Sequence, residues 1–140
     1  MVSARFLLDT SVLSEPLRAR PNASVMRRFH RHRDAIATAA PVWHELVFGC
    51  RLLPPSRKRQ VIQRFLEDVV RATVPILPYD TAAAEWHAAE RARLVGLGQT
   101  PPFVDGQIAA IASVHGLALV TVNVAHFQGF DGLTVEDWQE

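Results

Sequence analysis

Cysteine is almost missing from this chain. Cys50 stands alone among 140 residues, so no intramolecular disulfide can form and a thiolate zinc cluster is excluded. Lysine is as scarce, with only Lys58. No apolar run approaches the ~20 residues that span a bilayer. Arg5 and Asp9 interrupt the N-terminal apolar stretch, which removes the pattern of a signal peptide. Charge of one sign is lacking too: the formal net charge is +1. A nucleic-acid role must therefore rest on local patches and a site rather than on a global field.

What remains is ordinary for a soluble globular protein, with 49% hydrophobic and 21% charged residues. The length suits one domain over residues 1–140, large enough to bury its own core. The expected location is cytoplasmic, with no membrane partner. A lone buried cysteine in that setting is a small hydrophobe rather than a nucleophile.

Short apolar runs alternate with amphipathic stretches. Ala4 to Leu8 reads as a buried strand, with Thr10 or Ser11 placed to cap a helix. A helix follows Pro16 and the RARPN stretch, from Ala23 to His32, with Val25, Met26 and Phe29 as its apolar stripe. Its Arg27, Arg28, His30, Arg31 and His32 read as a solvated face. Ala35 to Ala40 is a second strand, followed by a helix with Pro41 in its first turn. After Pro54 to Ser56 comes a helix from Arg57 to Arg71, with Val61, Ile62, Phe65, Leu66 and Val69 on one side. Val74 to Asp80 is a third strand, and Thr81 to Leu94 a helix. Val95 to Phe103 is a loop, Val104 to His115 a helix ended by Gly116, and Leu117 to Asn123 a fourth strand. A short strand near Leu133 to Val135 closes the series. The alternation predicts an α/β fold with a parallel sheet.

In such a sheet, ligands sit outside the carboxyl ends of the strands, and Asp9 falls at that end of the first one. A carboxylate there costs several kcal/mol unless it is paired, hydrogen-bonded or bound to a metal. Glu45 shares a helical stripe with Val42, Leu46 and Gly49, which predicts that it turns toward apolar neighbours rather than water. Asp105 shares one with Ile108, Ala109 and Ala112, in a first turn where the helix dipole favours an aspartate by up to about 1 kcal/mol. Each acid alone has a structural explanation. Together at one sheet edge they repel, and a hard divalent cation relieves that repulsion.

LLDTSVLSE, VWHELVFG, PFVDGQIAAIASVHGLALVTVN and AHFQGF, in that order, resemble the PIN-domain ribonucleases of the VapC toxin family, of VapBC toxin–antitoxin systems. The resemblance covers nearly the whole chain. It implies a three-layer α/β/α sandwich with a central, mainly parallel sheet. It also implies a Mg²⁺- or Mn²⁺-dependent endoribonuclease whose RNA substrate includes tRNA as a candidate. The implied toxin is a homodimer that blocks translation and growth and is inhibited by a cognate VapB-like antitoxin. Matched residue by residue, Asp9, Glu45 and Asp105 form the catalytic and metal-binding acids. Thr10 or Ser11 would orient Asp9 by hydrogen bonding, with Thr121 doing similar work. Relatives often carry a further aspartate where this chain has Asn123 and His126, either of which would contact substrate phosphate or a metal-bound water.

The competing classes are weaker. A phosphotransferase of the haloacid dehalogenase type wants a second aspartate two residues after the first, where Ser11 stands. A receiver domain wants a lysine late in the chain, and no G-x-G-x-x-G announces a dinucleotide fold. A PIN fold that binds RNA or a partner without cutting is the alternative that the missing fourth acid favours. His44, His87 and His115, on helices without partners at ligand spacing, read as structural, and Trp43 and Trp86 as packing residues. Asp80 and Glu85 read as a helix start, and Trp138 has no assigned part.

Overall fold

The computed structural model describes residues 4–139. Five strands form one sheet: β1 (Phe6–Leu8), β2 (Ile36–Ala39), β3 (Ile76–Leu77), β4 (Ala118–Val120) and β5 (Val135–Glu136), in the order β3-β2-β1-β4-β5. All four pairings are parallel, with Phe6 opposite both Ile36 and Ala118, and Val120 opposite both Leu8 and Glu136. Helices flank the sheet: α1 (Thr10–Leu13), α2 (Ala23–Arg31), α3 (Ala40–Leu52), α4 (Arg57–Arg64), α5 (Thr81–Gly96), α6 (Phe103–Val114) and α7 (Val124–Phe127). The expected α/β sandwich with a parallel central sheet is what forms. Every residue of β1 and β2 is buried, as continuous apolar runs covered on both faces should be. Thr38, the one hydroxyl in β2, is satisfied by donating to the Leu8 carbonyl at 2.8 Å.

Local chemistry sets the helix starts. Asn22, Ser56 and Asp80 accept hydrogen bonds from the backbone N–H groups of Val25, Arg59 and Ala83 at 3.0–3.1 Å, satisfying donors that a helix cannot satisfy internally. Gly116 ends α6 with φ of 66°, a conformation natural to glycine. Of the residues able to cap α1 it is Asp9, rather than Thr10 or Ser11, that does so, accepting from the Thr10 N–H at 2.7 Å.

The strands are shorter than their apolar runs. Val74 to Asp80 contributes only Ile76–Leu77, and Leu117 to Asn123 only Ala118–Val120. The Arg57–Arg71 helix also changes character: from Phe65 to Arg71 it is π-helical. Its i→i+5 bonding takes an extra residue into each turn, so the apolar stripe slips. Leu66 and Val70 are buried, while Val69, expected inside, is 46% exposed; Val61, also expected inside, is 54% exposed on the α-helical part before the slip. Trp138 is fully buried, edge-on to Phe6 with ring centroids 5.3 Å apart. It closes the core beside β1.

Candidate functional site

The chain lays β1, β2 and β3 outward in one direction and then returns to place β4 and β5 on the other side of β1. The switch point of the sheet lies between the carboxyl ends of β1 and β4, where parallel α/β sheets open a crevice. Asp9 follows β1 and Thr121 follows β4. Their backbones are locked by Asp9 N–H donating to the Val120 carbonyl and Thr121 N–H to that of Glu136, both at 3.0 Å.

The side chains meet across this point. Asp9 is 8% exposed and Thr121 fully buried. The Thr121 hydroxyl donates to Asp9 Oδ2 at 2.8 Å and accepts from the Asn123 N–H at 3.0 Å. Its proton therefore has one place to go, and Asp9 is held in one orientation by this bond and the Thr10 N–H on Oδ1. That resolves the compensation of a carboxylate at a buried strand end. Of the hydroxyls expected to orient Asp9, only Thr121 does so. The Thr10 hydroxyl instead donates to Glu45 Oε2 at 3.1 Å, and Ser11 Oγ is buried without a hydrogen-bond partner among the described residues.

Glu45 departs from expectation in another way. It lies on the stripe with Val42 and Leu46, but only Val42 is buried; Leu46 is half-buried and Glu45 exposed. The stripe sits at the rim of the domain, where its edge meets water. Thr10 ties Glu45 to the site by bridging α1 and α3.

Asp105 stands in the first turn of α6. Its Oδ2 is buried without a hydrogen bond, facing His126 Nδ1 on α7 at 3.7 Å. Burial pushes the Asp105 carboxyl above the usual aspartate range. His126 opposes that, while the charges of Asp9 and Glu45 push it further up. The three acids thus share one electrostatic field. Asn123 enters the site through its backbone N–H, and its side chain region is exposed. His126 faces the Asp105 carboxylate.

Among the described residues no three His, Cys, Asp or Glu side chains stand close enough together to hold an ion as they are. The donor chemistry nevertheless fits a hard cation. The oxygens are all carboxylate or hydroxyl, and the buried Oδ2 of Asp105 accepts no hydrogen bond, with His126 Nδ1 3.7 Å away. A cavity of about 230 Å³ between α3 and α4, bordered by Trp43, Val47, Cys50, Arg59 and Leu66, lies on the face of α3 opposite Glu45. It takes no part in this cluster.

One contact beside the site carried no signal in the sequence. His87, read as structural, is buried, bonded to the Tyr79 hydroxyl at 2.9 Å through Nδ1 and tilted against Phe103 at 4.8 Å between centroids. Its ring lies so near Gly106 that a Cβ there would fall 2.1 Å from Nε2. Two helices must meet before either residue has a reason to be what it is.

A parallel sheet that gathers carboxylates and a buried threonine at its switch point defines an α/β protein with an acidic site. The sequence model of the PIN domain matches residues 6–131, and the chain belongs to that family. It is similar to the tRNA(fMet)-specific endonuclease VapC of Shigella flexneri, with 32% identity over 135 residues, 96% of this chain and 98% of the relative. It is similar also to toxin FitB of Neisseria gonorrhoeae, with 33% identity over 138 residues, 96% of this chain and 99% of the relative. The solved structure of FitAB bound to an IR36 DNA fragment superposes with a TM-score of 0.88 at 29% identity, covering 96% of each chain. Among the described residues no helix is long and apolar enough to cross a membrane.

Proposed function

We propose that the protein is a divalent-metal-dependent endoribonuclease, the toxin of a type II toxin–antitoxin pair. It acts in the cytoplasm as a homodimer, arrests translation and growth by cutting RNA, with tRNA as a candidate, and is restrained by a VapB-like antitoxin. The endonuclease and toxin names of its relatives support this reading. The observation that carries it is the approach to one sheet edge of Asp9, held by Thr121, Glu45, tied in by Thr10, and Asp105, whose buried Oδ2 accepts no hydrogen bond.

Asp9 and Asp105 would hold Mg²⁺ or Mn²⁺, with Glu45 as the third ligand or water-positioning group at the rim. The cation, when bound, supplies polarisation of the phosphodiester and activation of water. The protein's own part is preorganisation. Thr121 and the Thr10 N–H fix the Asp9 carboxylate before substrate arrives, so no reorientation is needed during reaction. Thr10 draws Glu45 toward the same edge. His126, which faces Asp105, would contact the substrate phosphate or a metal-bound water.

The test is Asp9→Asn in purified protein. RNA cleavage in Mn²⁺ should fall by more than roughly 100-fold, and chelation should abolish it in the parent. The variant should still unfold cooperatively without metal but melt somewhat lower, because an amide cannot accept from both the Thr10 N–H and the Thr121 hydroxyl. A variant that cuts as fast as the parent sinks the assignment. A parent protein that binds RNA but never cuts it with either cation identifies a non-catalytic PIN module instead.

A further inference from the structure

Between Glu15 and Asp34 the chain carries six arginines, Arg18, Arg20, Arg27, Arg28, Arg31 and Arg33, and no acid. The chain as a whole has 15 basic and 14 acidic residues, so the rest of it sets nine basic residues against all 14 acidic ones. The near-neutral total conceals a strongly basic flank on an otherwise acidic protein.

The structure shows where that flank runs. It leaves the site directly, since α1 and the 3₁₀ turn Glu15–Leu17 lead from Asp9 to Arg18. It then follows α2 to the opposite edge of the sheet, where Arg5 N–H donates to the Ala35 carbonyl and β2 begins beside Phe6. At 1.5 Å per residue, α2 alone is about 13 Å long. Arg18, Arg20, Arg27, Arg31 and Arg33 are exposed. Glu15, the acid before the tract, is buried and accepts from the Asn22 N–H at 3.0 Å, with Arg18 at 3.5 Å, while Asp34 after it is exposed beside Arg33. Among the described residues Arg20, Arg27, Arg31 and Arg33 make no ion pair. His32 senses the field: its imidazole is held below its usual range by burial first, then by Arg5 and Arg31.

We propose that this arginine tract is an RNA-anchoring surface, binding phosphates of a folded RNA at a distance from the scissile bond. The inference rests on the ribonuclease reading above. An acidic site repels the polyanion it must cut, so affinity has to come from elsewhere on the molecule. Arg27 and Arg31, one helical turn apart on α2, offer two such charges on one face. Guanidinium groups bind phosphate oxygens bidentately, and each phosphate neutralised releases counterions and steepens the salt dependence of binding.

The test uses the full chain with Arg27→Gln and Arg31→Gln together, and the Lys pair at the same positions as a charge-retaining control. Binding of bulk tRNA is titrated against salt in an Asp9→Asn background, and cleavage of a short single-stranded oligoribonucleotide is measured with Asp9 intact. The Gln pair should bind tRNA several-fold more weakly. Its slope of log affinity against log salt should be shallower by between about 1 and 2. The Lys pair should keep the slope, and all three should cut the oligonucleotide alike. An unchanged slope in a Gln pair whose parent binds and cuts RNA overturns the anchoring surface and leaves the nuclease standing. A parent that neither binds nor cuts RNA overturns both. Poly-glutamate bound as tightly as tRNA, and lost equally in the Gln pair, overturns the assignment in favour of an acidic protein partner.

Discussion

Gly106→Ala is a substitution whose sign can be worked from the structure. In a helix interior alanine is favoured over glycine by about 1 kcal/mol, so propensity alone predicts a gain. The new Cβ, however, would lie 2.1, 2.6 and 3.0 Å from three atoms of the His87 ring. The ring is buried, bonded to Tyr79 and packed on Phe103, so it has no easy retreat. Overpacking of this kind costs about 1–3 kcal/mol, and the net effect should be a loss of about 1 kcal/mol or somewhat more. Replacing His87 by alanine empties the space. It destabilises in its own right, by leaving a void and the Tyr79 hydroxyl without its partner. In that background Gly106→Ala should become stabilising by about 1 kcal/mol, a coupling of about 1–3 kcal/mol, the overpacking cost, between the two positions. Urea unfolding of the four metal-free proteins measures it, provided the m-values agree. If Gly106→Ala stabilises the parent as much as it stabilises the His87→Ala protein, the close approach of α5 and α6 is wrong.

Thr121→Val strands both Asp9 Oδ2 and the Asn123 N–H, so it should cost about 1–3 kcal/mol and lower cleavage, while Thr121→Ser retains most of both; equal melts and rates for the two variants would contradict the buried bond. The Asp105 carboxyl is raised above its ordinary value, chiefly by burial. Its stabilising contribution is therefore complete below the unfolded aspartate pKa of about 3.9 and lost as pH rises through the folded value. Without metal, Asp105→Asn should gain stability relative to the parent over that rise, and parallel stability–pH curves would refute it. His126→Asp should tighten Mn²⁺ binding by calorimetry, because His126 is the side chain that faces Asp105, and Asn123→Asp should do less. The reverse order would move the fourth ligand position to Asn123.

The order of elements was legible in the sequence because apolar runs and amphipathic stretches of different period alternate cleanly. Asp9 was legible because a charge closing an apolar run is costly wherever the run is buried. Glu45 was placed on the right element but given the wrong surroundings. Helical spacing reports which residues share a face, not whether that face lies in the core or at its rim. The π-helical turns near Leu66 were invisible for a related reason, since a pattern counted at 3.6 residues per turn cannot announce its own change of period. The choice among Thr10, Ser11 and Thr121 was beyond sequence spacing, because the deciding neighbour lies across a strand pairing. The same holds for His87 and Gly106, and for Trp138, whose place is set by Phe6 at the other end of the chain.

Asp9 and the hydroxyl that holds it are 112 residues apart. Thr121 reaches its position only after β4 has docked beside β1, and β4 lies in the last fifth of the chain. During synthesis the amino-terminal carboxylate thus exists long before its partner, because domains complete their folding only once the elements that pair have emerged. A chain interrupted before β4 carries every arginine of the basic flank and both Asp9 and Glu45, yet has no assembled site. The central place of β1, filled from one side early and from the other side only when β4 arrives, leaves the site unassembled until the two distant parts of the sheet have met.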